Sequence, residues 1–196
     1  TRRDGYCIVA FTWLLFTGFG MLPFYISGSI PSVTDAFFET MSGFTTTGAT
    51  ILDDIEALSH GMLFWRSFSQ WIGGLGIVFF TIAVLPIFGV GNQVLFSAEA
   101  TGVTHDKIHP KISVMAQCLW TVYLVLTVAE IVLLLIGGMD LFDAACHAFS
   151  TTATGGYSTK QASVAYWNSA FIICTIGGPQ PYTYVQLQAK ECYARH

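Results

Sequence analysis

Two short segments carry the residue types from which a cation site can be built: "TTTGAT" at 45–50 and "TATGGYS" at 152–158. Each joins small hydroxyl side chains to glycine, and neither contains a charge. A monovalent cation gives up its water only where other oxygens replace it at similar distances, and rings of backbone carbonyls from several loops supply them. Gly48 and Gly156 can take backbone angles closed to other residues and put no side chain in an ion's path. Thr45, Thr46, Thr47 and Thr50, and Thr152, Thr154 and Ser158, offer hydroxyls to line that path or to brace the strand from behind. The expected ion-binding residues are Thr45, Thr46, Thr47, Gly48 and Ala49 in the first segment and Ala153, Thr154, Gly155 and Gly156 in the second. Thr46, Thr47, Gly48, Thr154, Gly155 and Gly156 are expected to meet the ion itself.

Such segments need elements that hold them at depth in a membrane. The 196 residues are 53% hydrophobic and 10% charged, with mean hydropathy +0.59, whereas soluble domains carry about 25% charged residues. An integral, all-α membrane protein is expected. A net charge of −4 gives none of the basic stripe that nucleic acid requires. The five cysteines, Cys7, Cys118, Cys146, Cys174 and Cys192, are odd in number and widely spaced, and imply no disulfide framework. The start "TRRDGYC" resembles a twin-arginine export signal, but the apolar run behind it has no cleavage site and reads as a retained helix.

Four segments approach the roughly 20 apolar residues that a spanning helix needs: Tyr6 to Tyr25, Met62 to Phe88, Ile112 to Met139, and one from near Ala162 to Ala189 that "GGPQP" must bend. Between the first and second, and between the third and fourth, lies a short helix opened by a capping pattern, "SVTD" at 32–35 and "DLFD" at 140–143. About ten apolar positions follow each cap, about 15 Å of helix, so both should enter the membrane and stop midway. A shift of 108 residues lays Ser32 on Asp140, Asp35 on Asp143, Ser42 on Ser150, Thr46 on Thr154 and Gly48 on Gly156. The chain is thus an internal repeat of helix, pore loop and helix, with four spanning helices and two re-entrant half-helices. Its parts are a first repeat at 1–88, a cytoplasmic linker at 89–111, a second repeat at 112–188 and a tail at 189–196. Basic residues place the N-terminus in the cytoplasm, and the half-helices point partly negative ends at the membrane centre.

The segments "TDAFFETMSGFTTTGATIL", "FWRSFSQWIGGLGIVFFTIAVLP" and "FDAACHAFSTTATGGYST" closely resemble the Trk-type potassium uptake proteins of bacteria, within the Trk/Ktr/HKT superfamily. The likeness runs from Arg2 to about Gly178. It implies pore-loop units around a central pathway and uptake of K+ across the bacterial inner membrane, with K+ as the transported ion and no covalent cofactor. It further implies membrane lipid as surroundings, a homodimer, and a nucleotide-binding regulatory subunit on the cytosolic face. Gly48 and Gly156 fall on the family's filter-glycine positions. Family members carry four units in one chain, and these residues match the first two.

Other residues invite chemistry and have plainer readings. "GGLG" at 73–76 lies inside a spanning helix and suits close packing behind the filter rather than a nucleotide loop. Glu130 is an acid deep in a span, expected to pair with a polar neighbour or stay protonated. Arg66 is expected to snorkel or to meet a loop carboxylate. His105 and His109 have i, i+4 spacing without a third metal ligand, and His147 and Glu39 should make structural hydrogen bonds. No nucleophile or carboxylate pair points to an enzyme. A non-conducting structural or truncated piece of such a transporter is the alternative to the transport reading.

Overall fold

The computed structural model describes residues 2–84 and 112–177, and every regular element among them is helical. The first half comprises α1 (Arg2–Gly20), α2 (Leu22–Ile26), α3 (Val33–Phe44) and α4 (His60–Val84). The second comprises α5 (Ile112–Ile136), α6 (Leu141–Thr152), a 3-10 helix (Ser163–Trp167) and α7 (Ala170–Gly177). The linker with His105 and His109, the end of the second apolar segment and the tail after Gly178 lie outside the described residues.

Local sequence explains the borders. The break between α1 and α2 falls at Met21, and Pro23 stands in the first turn of α2, where its missing N–H leaves no bond unmade. Ser32 Oγ accepts the Asp35 N–H at 3.4 Å, and Asp140 Oδ2 accepts the Phe142 N–H at 3.2 Å, capping α3 and α6. Both capped helices are 12 residues long, about 18 Å, well short of a bilayer's hydrocarbon core. The fourth apolar segment departs from expectation. Near Ala162 the backbone is 3-10, Asn168 is left-handed at φ 44°, and the α-helix starts only at Ala170. Asparagine accepts that conformation more readily than most residues, so it ends one helix and re-aims the chain into the next.

The packing centres on α4, which touches α3, α5 and α6. Phe64, Phe68 and Trp71 of α4 stack among themselves and meet Phe149 of α6, and Trp71 also meets Trp120 and Tyr123 of α5. Trp71 Nε1 donates to Thr127 Oγ1 at 3.0 Å, and Tyr123 Oη donates to the Trp71 carbonyl at 3.1 Å. Each half has a small apolar core, around Phe24, Ile30 and Ala36 in one and Leu134, Met139, Ala148 and Ile172 in the other. Between them the interior is polar: Glu39, Arg66, Ser69, Gln70 and Ser150 are all buried. The outside is the reverse. Val9–Ile26 and Leu119–Ile136 are long and apolar enough to cross a membrane, and Phe11, Phe19, Val125 and Leu126 stand exposed along them.

Gly73 of α4 lies so close to the end of α3 that a Cβ there would collide with the Phe44 carbonyl. Gly73→Ala is therefore expected to destabilise the protein by about 1–3 kcal/mol, read as a lower Tm of the detergent-purified protein. An unchanged Tm would mean that the two backbones are not in contact.

Candidate ion-binding site

Both short helices end in the same way. After α3, the Thr46 N–H donates to the Gly43 carbonyl and the Thr47 N–H to the Ser42 carbonyl, each at 3.0 Å. After α6, the Thr154 N–H donates to the Thr151 carbonyl at 2.8 Å and the Gly155 N–H to the Ser150 carbonyl at 2.7 Å. This double closure is a Schellman motif, which requires a left-handed residue just past the helix. That residue is a threonine both times, Thr46 at φ 54° and Thr154 at φ 56°. A β-branched residue there is an outlier costing about 1–3 kcal/mol, and such strain collects at functional sites. Two residues on, Gly48 and Gly156 also have positive φ, 75° and 87°.

The two loops that leave these helices meet. The Gly48 Cα stands against Gly155, so closely that an added Cβ would strike the Gly155 carbonyl oxygen. Together the loops wall a cavity of about 320 Å³, lined by Thr46, Thr47, Gly48, Thr154, Gly155 and Gly156, with Ser150, Thr151 and Tyr157 among the other lining residues. These six are the residues that the sequence marks as meeting an ion. Thr45, Ala49 and Ala153 stand off the cavity wall. The Ala49 carbonyl accepts from Ser42 Oγ at 2.6 Å and lies 3.2 Å from Tyr157 Oη, so its lone pairs are engaged behind the loop. Ala153 is buried against Gly74 of α4. The C-terminal ends of α3 and α6 both open at this cavity, and their partly negative carbonyls favour a cation there.

Behind the loops lies a connected polar brace. Glu39 is fully enclosed: Oε1 accepts from Arg66 Nε at 2.6 Å and from Thr50 Oγ1 at 3.0 Å, and Oε2 accepts the Ile51 N–H at 2.9 Å. Arg66, only 2% exposed, also donates from Nη1 to the Ser158 carbonyl at 3.0 Å and stacks with its guanidinium carbon 3.6 Å from the Tyr157 ring centroid. In the second half His147 occupies the place of Glu39. Its Nδ1 lies 2.7 Å from the Asp143 carbonyl and so carries the proton, leaving Nε2 to accept from Ser158 Oγ at 3.0 Å. Thr50 and Ser158, like Glu39 and His147, are 108 residues apart, so the same hydroxyl braces the same helix position in both halves.

The TrkH family model, described as a cation transport protein, matches residues 1–180. The chain belongs to the TrkH family. It is 46% identical over 172 residues to the Trk system potassium uptake protein TrkH of Escherichia coli K12, covering 87% of this chain and 36% of that protein. It is 39% identical over 177 residues to TrkG of the same strain, covering 89% and 36%. A crystal structure of the potassium transporter TrkH from Vibrio parahaemolyticus superposes with a TM-score of 0.76 at 41% identity, over 90% of this chain and 35% of that one. The chain thus spans about a third of the length of these relatives. Both loops, both half-length helices and the brace lie inside the region that the TrkH family model matches.

Within this TrkH-family segment, one expectation changes and another is met. Arg66 neither snorkels nor meets a loop acid, because Glu39 of α3 and the Ser158 carbonyl hold its guanidinium inside the protein. Glu130 finds the polar neighbour expected of it, Thr152 Oγ1 at 3.4 Å from Oε2. The roles of Gln70 and Tyr157 were not apparent from spacing. Gln70 Oε1 accepts from Ser150 Oγ at 2.7 Å and from the Tyr157 N–H at 3.3 Å. A signal did exist: Arg66 and Gln70 are four residues apart, hence on one face of α4.

Proposed function

We propose that this chain supplies two of the oxygen-bearing walls of a K+ uptake pathway, with Thr46, Thr47, Gly48, Thr154, Gly155 and Gly156 as its ion-binding residues. The observation that carries this reading is the cavity shared by two loops with the same turn, the same left-handed threonine and the same left-handed glycine. Carbonyls there would replace the ion's water, and the two helix ends would favour its charge. The ion moves down its electrochemical gradient, and no covalent step is involved.

In this reading residues 1–88 and 112–188 are two helix, pore loop and helix units, joined by the linker 89–111 on the cytoplasmic side and followed by the tail 189–196. Four helices span, α3 and α6 re-enter, and the N-terminus lies in the cytoplasm of a bacterial inner membrane. The exposed apolar sides of α1 and α5 face lipid or neighbouring protein. By likeness to the family, the working assembly is a homodimer bound by a nucleotide-binding regulatory subunit.

The test is transport by the full-length protein in cells stripped of their own K+ uptake. Growth on low K+ and Rb+ uptake are expected, with Gly156→Ser reducing both severalfold at unchanged membrane abundance. Uptake insensitive to that change would remove the second loop from the pathway.

A further inference from the structure

The second loop is held from behind by a helix of the other half. Arg66 and Gln70 stand one turn apart on α4, and between them they engage the Tyr157 ring, the Tyr157 N–H and the Ser158 carbonyl. Tyr157 answers in the opposite direction, its hydroxyl lying 2.9 Å from the Glu39 carbonyl and 3.2 Å from that of Ala49. Each loop is therefore fixed by a residue that the other half contributes. Arg66 is itself pinned on three sides, by Glu39, the Ser158 carbonyl and the Tyr157 face. A lysine would keep the charge but not the planar fork, and so would keep only the first of these contacts.

Granted the ion path proposed above, we infer that Arg66 and Tyr157 are positioning residues for ion discrimination. The Arg66 side chain carries no oxygen, and the Tyr157 hydroxyl is engaged by the Glu39 and Ala49 carbonyls. Together the two residues set the separation of the two walls, on which preference for K+ over the smaller Na+ depends when carbonyls are the ligands. A wall free to move inward would serve the smaller ion too. The brace belongs to this junction alone among the described residues. Alignment through the glycine pairs 73–74 and 177–178 places Ala170 and Cys174 where Arg66 and Gln70 stand, and neither offers the same donors.

The test measures, in the full-length transporter, the KM for K+ and the concentration of Na+ that halves Rb+ uptake, for Arg66→Lys and Tyr157→Phe. Both variants are expected to lower the K+ over Na+ preference by roughly tenfold, the scale set by a lost buried hydrogen bond. A purely structural role would reduce maximal uptake of all ions together and leave that ratio unchanged. Tyr157→Phe keeps the ring beneath the guanidinium and decides the matter if Arg66→Lys fails to assemble. A wild-type ratio in Tyr157→Phe overturns the inference. The filter reading fails separately, if Gly48→Ser in the same cells leaves uptake intact.

Discussion

Gly48→Ser is expected to abolish ion uptake by the full-length protein, with a loss of about 100-fold or more in rate at near-normal membrane abundance. Two effects add. At φ 75° any side chain is strained, by about 1–3 kcal/mol. The new Cβ would also strike the Gly155 carbonyl, one of the oxygens proposed to meet the ion, and can be relieved only by moving one wall of the cavity. Gly156→Ser shares the first effect without the second, since the space beside Gly156 is open. It should therefore be the milder of the two in affinity for the ion. Rb+ uptake against external concentration separates them. Equal, small effects at both positions would mean that the loops do not form a common wall.

The second large effect concerns folding. Arg66→Met leaves the Glu39 carboxylate enclosed with its charge partner gone, a change that costs about 3–5 kcal/mol, a large part of the stability of an ordinary domain. Membrane abundance and the Tm of purified protein should both fall sharply. Adding Glu39→Gln removes the stranded charge and should recover part of the loss, giving a coupling of about 1–3 kcal/mol in a double-mutant cycle. Additive losses would show that the two residues act independently, against the 2.6 Å contact between them.

The repeat was legible because its signals are local. A cap, a short apolar run and a Thr/Gly segment recur at one fixed shift, and each fixes its own backbone: Ser32 and Asp140 start the helices that Thr46 and Thr154 close. The six residues expected to meet an ion reach one cavity for the same reason. What resisted reading is non-local. Arg66 reads as a snorkelling charge or the partner of a loop carboxylate, because sequence does not show that Glu39 of α3, 27 positions away, will receive it. Tyr157 draws no reading from its local sequence, yet its hydroxyl bonds 118 positions back along the chain. The fourth helix was begun too early because apolar content alone cannot report the left-handed turn at Asn168.

A crystal structure of the full-length protein grown in Rb+, with anomalous differences collected at the rubidium edge, tests the central claim most directly. A peak between the loops, within ion-coordination distance of backbone oxygens from both the 46–48 and 154–156 stretches, is the expected result. Peaks along the conduction axis with these two stretches turned away from them would contradict it.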